Sequence, residues 1–361
     1  MYEAGASGRI AEIDVAKGMA CLLMIAAHFI SARLLPFGTF AAPLFFACSG
    51  MNTIVLIERT RGNRRFDLYH LAFPLLLFFG GISQVVVAHG GPPRIFPEFL
   101  QCIAMAVLVL FLLSRGIREP LVIGWLFPLP FFTHQLVLAD FSGAPLNLLF
   151  SRGFALFPWL GFFLFGVLLL SLRRKWIPRL AGALAVAAAL SLALSRRMPD
   201  KFAMSPSYAL LALLASCLFF MLARAMVGRA GGVFPVMAEF FALPGRNALM
   251  FVFLHYFALR YLATADFFPH WLLYIVLEPL YLFSACWVLL RIYEEARHRT
   301  ALLVPVSGLL AALATLRWAG LLAGRVDLRA VDLAVGVLFA FAYVLLRRKL
   351  AAACRQGRAG G

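Results

Sequence analysis

The chain has 361 residues, of which 63% are hydrophobic and 14% charged, and its mean hydropathy is +0.91. With 36 Phe and so little polar surface, a soluble enzyme, a secreted domain and a disordered chain are all excluded, and the composition predicts a polytopic membrane protein. The excess of 33 Lys and Arg over 16 Asp and Glu fits loops facing anionic lipid; no run interleaves basic with aromatic residues, so no nucleic-acid partner is expected.

Taken in chain order, the first 18 residues carry Glu3, Glu12 and Asp14, and no small-residue cleavage site follows the first apolar run, so a retained helix is expected there rather than a signal peptide. Runs long enough to cross about 30 Å of hydrocarbon then fall at roughly 17–35, 37–57, 69–88, 97–114, 120–138, 153–172, 177–194, 205–227, 246–264, 270–290, 301–318 and 330–346. Prolines weaken three of them: Pro128 and Pro130 the fifth, Pro178 the seventh, and Pro305 (with Arg317) the eleventh. The predicted fold is therefore all-α, a bundle of ten to twelve transmembrane helices forming one membrane domain over 1–361. An even number of spans puts both ends of the chain on one side. Arg9, Lys17, the Arg59–Arg65 loop, Arg115, Arg118, Arg173–Arg179, Arg224–Arg246, Arg291–Arg299 and the basic tail all fall on that side, which the positive-inside rule makes cytoplasmic. Cys21, Cys48, Cys102, Cys217 and Cys286 lie inside apolar runs and Cys354 in the tail; without a CxxC pair, neither a disulfide framework nor a metal site is indicated. The two halves show no internal repeat, and no soluble domain can be cut out.

Chemistry concentrates at the beginning. In Arg9-Ile-Ala-Glu-Ile-Asp14-Val-Ala-Lys17-Gly18 and the apolar run after it, Asp14, Cys21 and His28 are spaced by seven and share one helix face, with Lys17 and Met24 beside it. His28 lies about 15 Å beyond Gly18, near mid-bilayer if the span begins there. An ionisable group at that depth is costly and points to function. Imidazole exchanges a proton near neutral pH, as activation of a hydroxyl or amine nucleophile requires.

The pattern Arg9-x4-Asp14-x2-Lys17-Gly18, followed by an apolar helix with His28-Phe29, resembles the opening of the transmembrane acyltransferase superfamily, which includes heparan-alpha-glucosaminide N-acetyltransferase with its bacterial relatives and acyltransferase family three. Further blocks are similar to that superfamily: Ala41-Ala-Pro-Leu-Phe-Phe-Ala-Cys-Ser-Gly50-Met51, Phe99-Leu-Gln101-Cys-Ile-Ala104, Phe157-Pro-Trp159-Leu-Gly161, and Pro244-Gly245-Arg246-Asn247 running on to Leu254-His255. The likeness covers residues 9–260 as an acyltransferase-like core and leaves the additional helices of 270–346 outside it. It implies transfer of an acyl group, usually acetyl, from cytosolic acyl-CoA to a sugar or related acceptor across a bacterial plasma membrane, with the family's polar first-helix position falling on His28. The loop histidine of the animal enzyme has no counterpart in the short Ser31–Gly38 connection, and Lys17 stands where Arg is commoner, keeping charge but losing the bidentate fork.

Within that likeness, Arg9, Asp14 and Lys17 are assigned to the donor together with Arg61, Arg64 and Arg65, whose positive charge suits nucleotide phosphates or, more simply, obeys the positive-inside rule. Glu98, Gln101, His134 and His255 are candidates for lining the acceptor cavity, with interfacial or loop contacts as the plainer reading. No metal is expected. A different class stays open, a twelve-helix transporter or glycan exporter: the loop Glu58–Arg65 is similar to a loop of major-facilitator transporters, although the connection Arg173–Trp176 is far shorter than their central loop.

Overall fold

The computed structural model describes residues 10–29, 39–62, 64–89, 98–136, 149, 153–195, 199–201, 203–229, 231–261 and 271–296. Among these every regular element is helical: α1 (Ala11–Phe29), α2 (Ala41–Thr60), α3 (Arg64–His89), α4 (Phe99–Gly116), α5 (Pro120–Trp125), α6 (Pro128–Leu136), α7 (Leu156–Ser171), α8 (Ile177–Ser195), α9 (Pro206–Gly228), α10 (Val233–Arg246), α11 (Ala248–Tyr261) and α12 (Trp271–Ala296). Both chain ends, Arg9 and the predicted spans 301–318 and 330–346 lie outside the described residues.

By length and composition, five helical segments among the described residues can cross a membrane, Ala41–Thr60, Phe99–Gly116, Arg174–Ser195, Pro206–Gly228 and Val276–Glu295, and a sixth crossing results if α10 and α11 count as one bent span. Several long apolar helices thus make this a multi-pass membrane protein. The other predicted spans differ for local reasons. α1 starts at residue 11 rather than 17 and carries Glu12, Asp14 and Lys17 within it. The fifth prediction is two short helices parted before Pro128, whose ring cannot continue the preceding turn. The ninth is α11, which meets the helix before it at 81°. The stretch before it, expected to be a loop, is helix α10, hidden from a hydropathy scan because Pro235, Glu239, Pro244 and Arg246 interrupt its apolar stripe.

Packing runs from a central layer outward. α7 is buried almost along its whole length, with Trp159, Phe162, Phe163 and Phe165 closed off from solvent, as expected of a helix apolar all round. It lies against α2, and the two backbones touch through small residues: a side chain at Gly50 would overlap the Phe163 carbonyl, and one at Gly166 would overlap that of Ala47. Without a strong hydrophobic drive between helices in lipid, such close approach supplies the dispersion and dipole contact that holds them. α1 is the second hub, packed on α2, α9, α10, α11 and α12. Against α10 it again uses glycine, Gly18 beneath Phe241 and Gly245 beneath the Asp14 carbonyl. α8 stands at the rim; Val186, Leu190 and Leu194 are exposed there, and the last is 84% accessible.

Candidate functional site

The two ends of α1 carry the polar residues. Asp14 is buried one turn into the helix, and Lys17 places its Nζ 5.6 Å from the centre of the Phe45 ring. Opposite them the end of α10 supplies Arg246, which bonds Glu239 at 2.7 Å, reaches Glu294 of α12 at 4.0 Å and interacts with Asp14. Asn247, at the bend, donates to Leu243 O (3.0 Å) and to Glu294 Oε1 (2.9 Å). The cluster ties α1, α10, α11 and α12 together, and its charges answer one another.

The far end is built differently. His28 lies in the last turn of α1, about 12 Å past the helix midpoint, because the helix begins six residues before the predicted span. Its ring centroid is 5.6 Å from that of His255 and 6.2 Å from that of Tyr256, both on α11. His28 is exposed. His255 is 1% exposed. Its Nδ1 lies 3.3 Å from Phe251 O, so in the neutral ring Nδ1 holds the proton and Nε2 the lone pair. That Nε2 has no hydrogen-bond partner among the described residues.

Two further elements meet this imidazole pair. The turn before α9 is closed by Asp200 N to Ser205 Oγ (2.9 Å) and Ala203 N to Asp200 Oδ1 (3.1 Å), while Gln135 Nε2 of α6 donates to Met204 O (3.0 Å). Lys201 projects from that turn, its Nζ 5.2 Å from the Phe154 ring centre, and interacts electrostatically with Glu98 and His28. Burial pushes its ammonium down to about 8, against the upward pull of the Glu98 carboxylate. Glu98 caps α4 by accepting from Phe99 N. Gln101, one turn on and on the same face, is fully buried, and among the described residues neither its Nε2 nor its Oε1 finds a partner.

Of the residues singled out from sequence, His28 and His255 come together, and Glu98 joins them through Lys201, with Gln101 on the same face of α4. His134 is buried on α6, engages the backbone of Phe157 and of Ala203 on the Lys201 turn, and leaves its Nδ1 without a partner among the described residues. Asp14 and Lys17 are at the opposite end of α1. Arg61 follows α2, where it pairs with Glu58 (2.8 Å) and donates to Arg118 O (3.0 Å). Arg64 and Arg65 open α3, and their side chains lie outside the described residues. Lys201 and Tyr256 were not anticipated. Lys201 had one sequence signal, a rare lysine in an arginine-rich chain, set in Pro199-Asp200-Lys201 before the capping Ser205-Pro206. Among the described residues no group of three or more His, Cys, Asp and Glu is arranged to hold a metal ion. No known protein family and no curated protein matches the chain.

Proposed function

We propose that the protein is an integral-membrane acyltransferase that moves an acyl group, acetyl in the simplest case, from cytosolic acyl-CoA to a carbohydrate or other cell-envelope acceptor on the far side of a plasma membrane. In this reading the chain crosses the membrane up to twelve times, both ends are cytoplasmic, and the Asp14 end of α1 faces the cytosol. The observation that carries the reading is the meeting of His28 and His255 from two helices, with a lone pair of His255 left unspent among the described residues. The blocks that resemble the transmembrane acyltransferases support it, since His28 and His255 both belong to them.

The chemistry is direct transfer. His28 takes the proton of the acceptor hydroxyl or amine as that atom attacks the thioester carbonyl; the new C–O or C–N bond forms, the C–S bond breaks, and the CoA thiolate leaves and is protonated from water. General-base help of this kind is worth about 10² to 10⁴ in rate, and holding donor and acceptor in line supplies more. Lys17 and the arginines after α2, Arg61, Arg64 and Arg65, suit the donor's phosphates, Arg61 exchanging its Glu58 partner for one. Glu98, Gln101 and His134 border the acceptor.

Acetyl-CoA titrated into the purified protein during thermal unfolding tests the donor half of this reading. A ligand that binds only the native state at 100 times its Kd stabilises it by about 2.7 kcal/mol, so the melting temperature climbs with acetyl-CoA. A melting temperature that stays flat to millimolar acetyl-CoA contradicts the proposal.

A further inference from the structure

A strongly charged surface lies outside the site, at the elbow between α7 and α8. α7 runs from Phe157, whose backbone His134 engages beside the Lys201 turn, to Leu168, packed on Gly124 of α5, so the elbow stands at the end of the bundle away from His28, on the side of Arg61 and Arg118. Around the helical turn Arg174–Trp176, Arg173, Arg174, Lys175 and Arg179 are all exposed, and none of them pairs with a carboxylate among the described residues. Exposed arginines elsewhere do: Arg115 with Asp67, Arg61 with Glu58 at 2.8 Å and Arg291 with Glu295 at 3.6 Å. The cause is local sequence. Residues 141–238 hold a single carboxylate, Asp200, and it closes the turn at the other end of the α8–α9 hairpin. Aromatic faces take its place: Arg179 lies 4.6 Å over the Trp176 ring, and Arg229, just past α9, 4.3 Å over that of Phe234.

We propose that the elbow binds the phosphate headgroup of an anionic phospholipid, gripped by Arg173, Arg174, Lys175 and Arg179, with its acyl chains lying along α8. Positive charges without a carboxylate call for an anion, and guanidinium forks suit the oxygens of a phosphodiester. The surroundings decide which anion. α8 belongs to the span Arg174–Ser195, and only 22% of its apolar stretch is buried in the protein, so lipid faces most of it and the elbow falls where hydrocarbon gives way to headgroups. Trp176, 45% exposed, is the residue type that settles at that level. Within two turns of Arg179, Gly182, Ala183 and Val186 are exposed and leave a shallow apolar strip for acyl chains, which a soluble phosphate could not use. The site is independent of acyl transfer, and loss of either leaves the other standing.

The test is native mass spectrometry and thermal unfolding of the purified full chain, carried in phosphatidylcholine alone or mixed with phosphatidylglycerol. Wild type should retain phosphatidylglycerol in preference to phosphatidylcholine and melt at a higher temperature in the mixture. Each cation near an anionic surface strengthens attachment by a factor of roughly five. The combined variant Arg173→Gln, Arg174→Gln, Lys175→Gln, Arg179→Gln should therefore lose on the order of 10²-fold or more in phosphatidylglycerol affinity, while its melting temperature in phosphatidylcholine stays at the wild-type value. Arg115→Gln combined with Arg291→Gln removes charges already spent on Asp67 and Glu295, and should lose almost nothing. Undiminished phosphatidylglycerol retention in the elbow variant overturns the site, and so does an equal loss in the Arg115 and Arg291 variant, which would mean that net charge alone attracts the lipid. Inorganic phosphate titrated into the detergent-solubilised protein is the last arm. No stabilisation is expected, and stabilisation matching that by phosphatidylglycerol would make the elbow a site for the free ion and overturn the lipid assignment.

Discussion

The two ends of α1 spend their polar groups in opposite ways. At the Asp14 end, Arg246 meets Glu239, Glu294 and Asp14, Asn247 meets Leu243 and Glu294, and glycines bring the backbones of α1 and α10 into contact. At the His28 end, His255 Nε2, both polar atoms of Gln101 and His134 Nδ1 are buried without partners among the described residues. A buried polar group left unsatisfied costs about 1–3 kcal/mol, so stability alone would have paired or removed these groups. Internal satisfaction marks scaffold, and unspent hydrogen-bonding capacity marks a place kept for something else. The difference separates a structural hub from a candidate site on one helix.

Substitutions at the two ends sharpen that contrast. Gly18→Leu should be the most damaging, because the new side chain would overlap the Phe241 carbonyl; overpacking costs about 3 kcal/mol or more when backbone must move, which thermal unfolding in detergent or loss of membrane abundance would register. Asn247→Leu removes two hydrogen bonds at the 81° bend and should lower stability by about 1–3 kcal/mol in the same assay. Thr60→Val deletes the 2.8 Å hydrogen bond between Thr60 and buried His70 and should cost about 1 kcal/mol. Gln101→Leu should do the reverse of Asn247→Leu: it discards an unpartnered buried amide, so the melting temperature should hold or rise while acyl transfer falls. A clear loss of stability in Gln101→Leu would mean that this amide is scaffold after all and would erase the contrast.

Much of this was legible in the residues. Apolar run length located α2, α4, α7, α8, α9 and α12 to within a few positions, because a span crossing hydrocarbon has little choice of length or composition. α10 was missed because its prolines and charges dilute a stripe that only packing against α1 explains. His28 was found from its periodicity with Asp14 and Cys21, while the start of α1 lies ahead of the apolar run because Glu12, Asp14 and Lys17 are helical without being apolar. The partnership of His28 with His255 joins residues far apart in sequence and becomes visible only when α11 folds against α1. Lys201 lay in a turn whose hydrogen bonds are local, yet its place beside Glu98 and His28 depends on three separate elements.

The most direct test of the central claim is transfer of labelled acetyl from acetyl-CoA into envelope carbohydrate by membranes containing equal amounts of wild type or His28→Ala. Incorporation by wild type that drops about 10²-fold or more in the variant, with membrane abundance and melting temperature unchanged, is the outcome expected here. Equal incorporation by the two proteins would contradict it.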